Sequence, residues 1–131
     1  MPTKSVNKKS QLPPSRKTHN QTFGSQGENL ATEYLETKKY KILDRNYRSS
    51  AGEIDIIAEK NGVVVFVEVK TRTSDSYGEG SISVNHKKLT RMAQGATEYL
   101  HENNLRADFR FDIIAITGKK INHFQNVTMF S

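Results

Sequence analysis

Cysteine is absent from this 131-residue chain, which excludes disulfides and thiolate zinc sites and is compatible with a reducing compartment. No apolar run reaches the roughly 18–20 residues of a membrane span, and no apolar segment stands near the N-terminus. Neither a membrane span nor a secretory signal is therefore expected, and a cytoplasmic location is. The chain also lacks an internal repeat, a glycine-rich phosphate loop and a Ser-His-Asp constellation. Acid is missing from residues 1–22, where Lys4, Lys8, Lys9, Arg16 and Lys17 account for +5 of the formal net charge of +6. Residues 23–131 hold 15 basic and 14 acidic side chains, so the high pI belongs to the tail and does not mark the rest as a nucleic-acid binder.

With Ser10, Pro13, Pro14 and Ser15 among its polar residues, segment 1–22 reads as a disordered basic tail, either a non-specific arm grazing phosphates or a solubilising leader. Residues 23–131 are long enough for one core, and a mean hydropathy of −0.70 with 26% charged residues fits one globular domain.

What is present centres on a hairpin. Asn61-Gly62 joins two apolar runs and favours a two-residue type I′ loop, which pairs Lys60 with Val63. Counting back from that turn, Asp55 faces Glu68 and Glu53 faces Lys70. Strand side chains alternate, so Ile54, Ile56, Ala58, Val63, Val65, Val67 and Val69 form one apolar set that reads as core. The other set begins apolar with Ile57 and Phe66, then turns polar with Asp55, Glu68, Glu53 and Lys70, as a face covered at one end and open at the other requires.

Opposed carboxylates have Cβ atoms about 4.5–5.5 Å apart and repel unless something compensates them. A divalent cation does so, and hard ions such as Mg²⁺ accept two carboxylates, a main-chain carbonyl and water. Asp55, Glu68 and the Val69 carbonyl offer that set. Lys70, two residues from Glu68, stands where it can orient or help deprotonate an attacking water or stabilise developing phosphate charge. The chemistry implied is metal-assisted phosphodiester hydrolysis. The same pattern also fits an exposed sheet face on which Lys70 pairs with Glu53 and Asp55 is solvated.

Asp55, twelve intervening residues, then Glu68-x-Lys70 resembles the P-D-(D/E)-x-K nuclease pattern, with Ile54 where the proline often stands. More closely, Phe23-Gly24-x-x-Gly27-Glu28-x-x-Ala31, Gly52 to Ala58, Val65 to Arg72, Val84-x-x-x-Lys88-x-x-Arg91 and Arg110-Phe111-Asp112 are similar to the YraN-type family of bacterial proteins, over about residues 23 to 117. That resemblance implies a restriction-endonuclease-like fold, akin to Holliday junction resolvases, acting on DNA, perhaps branched DNA in repair or recombination. It implies Asp55, Glu68 and Lys70 as the site, Glu28 as an added helix-borne carboxylate, Mg²⁺ or Mn²⁺ as cofactor, and a homodimer as one arrangement, since resolvase-like enzymes that cut two strands usually are dimers. The alternative is a non-catalytic nucleic-acid-binding or protein-interaction module that keeps the fold.

Around the hairpin, Ser25-x-x-Glu28 has the form of a capping box, so a helix is expected after Ser25, with Glu28 either capping it or serving the metal. Tyr40 to Tyr47 reads as a first strand, and Asn46 to Gly52 contains turn formers. Thr73 to Ser81 reads as a loop overhanging the site, with Arg72 placed to meet a phosphate and Tyr77 an unpaired base. Leu89, Met92, Ala93, Ala96, Tyr99 and Leu100 follow helical spacing. Lys87, Lys88 and Arg91 crowd the start of that helix, where cations oppose its dipole, so phosphate contact is the alternative to a plain solvated face, and the family resemblance favours Lys88 and Arg91 for it. Arg110 to Ile116 reads as a buried strand whose one acid, Asp112, is expected to pair with Arg110 or Arg48, and Ile121 to Phe130 as a weaker last strand. The resulting order is α-β-β-β-α-β-β, a mixed sheet flanked by helices.

Overall fold

The computed structural model describes residues 22–72 and 86–127. The expected tail up to residue 21, the loop bearing Tyr77 and the end of the expected last strand lie outside the described residues. The elements run α1 (Thr22–Thr37), β1 (Lys41–Ser49), β2 (Gly52–Lys60), β3 (Val63–Arg72), α2 (His86–Glu102), β4 (Asp108–Thr117) and β5 (Lys120–Phe124), the order expected from sequence. The five strands form one sheet in the order β1-β2-β3-β4-β5, antiparallel throughout except for β3 and β4. Parallel neighbours need a long crossover, and α2 lies within it.

The β2–β3 turn is as the sequence dictates. Asn61 (φ 53°) and Gly62 (φ 83°) both sit in the left-handed region that a type I′ loop requires, and Lys60 pairs with Val63. That register holds as far as Ile56 opposite Val67.

One helix covers each face. Ala31 and Leu35 of α1 pack with Ile56, Ala58, Val65, Val67, Ile114 and Ile116. On the other side, Ala96 and Tyr99 of α2 pack with Leu43, Tyr47, Ile54, Ile57, Val64 and Phe66. Burying each such aliphatic side chain stabilises the fold by roughly 1.5–3 kcal/mol. Gly27 lets α1 approach β3 closely: a Cβ there would meet Thr71 Oγ1 at 2.5 Å.

Three expectations are corrected. Ile54 does not share a face with Ile56: it packs under α2 while Ile56 packs under α1. Alternation therefore breaks at Asp55, beside the paired strand β1, where Asn46 adopts φ 53°. Helix α1 starts at Thr22 and not after Ser25, so Glu28 lies well inside it and not in its first turn. Asn46 belongs to β1, which continues to Ser49 and leaves Ser50 and Ala51 as the turn. Among the described residues, no helix is long and apolar enough to cross a membrane.

Candidate functional site

The site lies where the β2–β3 ladder ends. One residue beyond the Ile56–Val67 pair, the Asp55 side chain turns to β3, and its Oδ2 accepts a hydrogen bond from the Val69 main-chain N–H at 2.8 Å. Since Ile54 and Ile56 face opposite helices, Asp55 occupies the seam between the strands and belongs to neither face of the sheet. Burial there penalises the charged carboxylate, and the negative charge of Glu68 adds to the penalty. The Val69 N–H works the other way, Glu28 raises the pKa again and Lys88 lowers it. The outcome is an Asp55 carboxyl pushed up to about 7.

Glu68 projects to the α2 side, where its Oε2 lies 3.2 Å from Lys88 Nζ. Its side chain is only 12% exposed, against 35% for Lys88, so the pair is partly shielded from solvent. Lys70 follows on the same strand face by alternation and is half-buried. It does not face a paired Glu53. The β1–β2 register sets Arg48 opposite Glu53, and the two form an exposed ion pair at 3.2 Å. The bland alternative for this face, with Lys70 neutralised by Glu53, is thereby overturned.

Glu28 reaches the site from α1. Its Oε1 accepts from Asn46 Nδ2 at 3.1 Å and lies 3.7 Å from the Arg45 guanidinium. Glu28 acts on Asp55 through its charge, and its own acceptor is held by β1. Neither Asn46 nor Arg45 was singled out from sequence. Asn46 adopts the left-handed backbone, which Asn tolerates better than most residues, inside a strand.

The remaining predicted residues fall at the margins. Lys88 and Arg91 line a small pocket with Ala51, Gly52, Glu53, Ile54 and Met92, between the β1–β2 turn and the start of α2. Lys87 and Arg91 are exposed. Arg72 ends β3 beside a second pocket that Gln26, Gly27, Leu30 and Thr71 also line.

Asp55 and Glu68 meet the Val69 main chain and Lys88 at the seam, and the oxygen donors among these groups are of the kind a hard cation such as Mg²⁺ accepts. The buried, mutually repelling Asp55 and Glu68 are the features a cation would relieve. Among the described residues, no three acidic, histidine or cysteine side chains converge to hold a metal ion by themselves. Asp55 and Glu68 would hold it together with the Val69 carbonyl and water, a sparse protein set of the kind Mg²⁺ accepts because it retains several waters.

Asp112, on β4, pairs with Arg110 and not Arg48. Its oxygens lie 3.0 and 3.2 Å from Arg110 nitrogens, and Oδ1 accepts from the Asn126 N–H at 2.9 Å. The third partner, His123 Nε2 at 2.7 Å, was not foreseen, because it comes from the edge strand β5. Burial raises the Asp112 carboxyl, but the bonds from His123, Arg110 and Asn126 outweigh it and hold the group below the usual carboxylate range. An ionised Asp112 only accepts, so His123 donates through Nε2, while its Nδ1 is hydrogen-bonded with the Tyr34 hydroxyl 3.0 Å away.

Sheet and seam together define a mixed α/β protein that carries an acidic, oxygen-donor site where its second and third strands part. The chain belongs to the uncharacterised protein family UPF0102, which residues 27–116 match, in keeping with the YraN-type resemblance of its motifs. A UPF0102 protein of Sulfurihydrogenibium sp. is 48% identical over 100 residues, which span 76% of this chain and 87% of the relative. One of Thermodesulfovibrio yellowstonii is 46% identical over 104 residues, 79% of this chain and 93% of the relative. One of Geobacter metallireducens is 48% identical over 113 residues, 82% and 93% of the two chains.

Proposed function

We propose that this protein is a divalent-cation-dependent phosphodiesterase of restriction-endonuclease-like type that acts on DNA, with branched DNA in repair or recombination as the substrate class. The observation that carries the reading is the Asp55 carboxyl set in the β2–β3 seam, hydrogen-bonded to Val69 N–H and pushed up to about 7 by burial and by Glu68. A carboxyl raised by burial and by a second acid is the arrangement that a ligand pair for a cation requires. Asp55, Glu68 and the Val69 carbonyl would hold Mg²⁺ or Mn²⁺, which supplies Lewis-acid stabilisation of phosphate charge when bound. Lys70, on the Glu68 face, orients or helps deprotonate the attacking water. Arg72, Lys88 and Arg91 meet the phosphates on either side, and a homodimer would bring two such sites to the two strands of a junction.

A second reading, a nucleic-acid-binding or protein-interaction module without catalysis, draws on the Lys88–Glu68 ion pair, which already compensates one of the two carboxylates. Incubating the protein and its Asp55→Ala and Lys70→Ala variants with labelled branched, duplex and single-stranded DNA, in Mg²⁺, Mn²⁺ or EDTA, separates the two. Metal-dependent cutting by the parent alone is the expected result. Equal binding without cutting by all three proteins would establish the module instead.

A further inference from the structure

We infer that the sheet face between Glu68 and the edge strand β5 carries a stacking subsite for an unpaired nucleotide, with the Phe124 ring as its platform. The inference deepens the phosphodiesterase reading and rests on it. Strand pairing sets the geometry in rows. Glu68 lies opposite Ile113, and Ile113 lies opposite Phe124. Two strand spacings, roughly 10 Å, therefore separate the Glu68 and Phe124 positions across the sheet.

Both residues belong to the same face. Along β5, Ile121 packs on the α1-side cluster, and His123 bonds to Asp112 and to Tyr34 of α1. Alternation then sends Phe124 to the opposite side, the side on which Glu68 meets Lys88 of α2. Helix α2 packs mainly over β1 and β2, and Phe124 is 39% exposed. The other exposed phenylalanine among the described residues, Phe109, is part of an aromatic cluster, with its ring 6.0 Å from Phe66 and 5.8 Å from Phe111. Phe124 has no ring partner among the described residues.

The neighbouring rows carry matching charge. Lys70, Ala115 and Asn122 form the next row on this face, and Lys120 of β5 lies in the one after, so cationic positions on both β3 and β5 extend from the ring along one direction of the sheet. Positive side chains along a strand's path and an open aromatic face are the two components of single-strand recognition. Bases in an intact duplex are stacked on each other and present no free face, so this subsite selects unpaired nucleotides whose phosphate would lie at Lys70 and the proposed cation. That is the arrangement found at branches, flaps and single-stranded ends.

The chain contains no tryptophan, so Phe124→Trp introduces a single indole reporter. In EDTA, oligothymidylate should quench that indole saturably, and the same oligonucleotide should leave the indole of a Phe109→Trp variant unchanged. Blunt duplex, followed by anisotropy of a label on the DNA, should bind without quenching either. Phe124→Ala should weaken single-strand binding about fivefold or more and spare duplex binding, a factor that corresponds to the ~1 kcal/mol lower bound of stacking on one base. Bound oligonucleotide with no quenching in Phe124→Trp overturns the subsite, as does equal loss of single-strand and duplex affinity in Phe124→Ala. So does an emission shift that depends on protein concentration without DNA, which would mark the face as a contact between copies. Quenching in a protein that cuts nothing would support the subsite and sink the phosphodiesterase reading, so the two fail separately.

Discussion

Lys88 Nζ stands 3.2 Å from Glu68 Oε2, on one of the two carboxylates that the proposed cation would share. Lysine and metal ion would then compete for one carboxylate, and a Lys88 displaced by the ion would become available to a phosphate.

Lys88→Gln should accordingly bind Mn²⁺ more tightly in the absence of DNA, by about fivefold if the partly exposed pair contributes ~1 kcal/mol. The same variant should bind DNA more weakly and with a shallower salt dependence, having lost a phosphate contact. Calorimetric titration with Mn²⁺ and anisotropy across a salt series measure the two effects. Weaker Mn²⁺ binding in the variant would contradict the competition.

Asp55 gives a pH signature. Its carboxyl titrates near 3.8 when unperturbed and near 7 in the fold, so between those values the folded state keeps a proton that the unfolded chain has released. Stability of the metal-free parent should fall as pH rises through this window and level off above it. Asp55→Asn has no such group, so its stability relative to the parent should grow from about pH 4 to about pH 7 and then stay constant. Urea unfolding at a series of pH values in EDTA provides the check. A difference independent of pH would show that Asp55 is not held protonated.

Gly27 tests the approach of α1 to β3. Helix propensity alone favours alanine over glycine by about 0.8–1 kcal/mol, whereas overpacking costs typically ~1–3 kcal/mol. With Thr71 Oγ1 only 2.5 Å from the added Cβ, the clash should win and Gly27→Ala should destabilise the protein. In a Thr71→Ala background the sign should reverse, since the obstructing oxygen is gone. A double-mutant cycle by denaturant unfolding reads this coupling.

Asp112 is fully buried and held by Arg110, His123 and Asn126. Asp112→Ala leaves those donors without their acceptor and should cost about 3–5 kcal/mol, the usual loss when one partner of a buried ion pair is removed. Because Asp112 stands outside the seam, a variant kept folded at low temperature should retain Mn²⁺ binding. Loss of Mn²⁺ binding in the folded variant would place Asp112 in the site.

Much of this architecture was legible in the chain. Asn61-Gly62 fixed the hairpin register through the φ values that only such a dipeptide adopts readily, and helical spacing from Leu89 to Leu100 located α2 and its buried face. The seam was not legible. Counting from the turn assumed that alternation persists, but the ladder ends after Ile56, Ile54 changes sides, and Glu53 is captured by Arg48 from β1. Pairing with a third strand is a tertiary event that no local pattern encodes. The roles of Asn46 and Arg45 beside Glu28 and of His123 beside Asp112 escaped for the same reason: each joins residues far apart in sequence.

The central claim is that Asp55 and Glu68 share one cation. Titrating Mn²⁺ into the parent, Asp55→Ala and Glu68→Ala above pH 7, with bound ion counted by electron paramagnetic resonance, tests it most directly. One ion per chain in the parent, lost in each single variant while both remain folded, is the predicted result. An undiminished ion in either variant, or none in the parent, would contradict it.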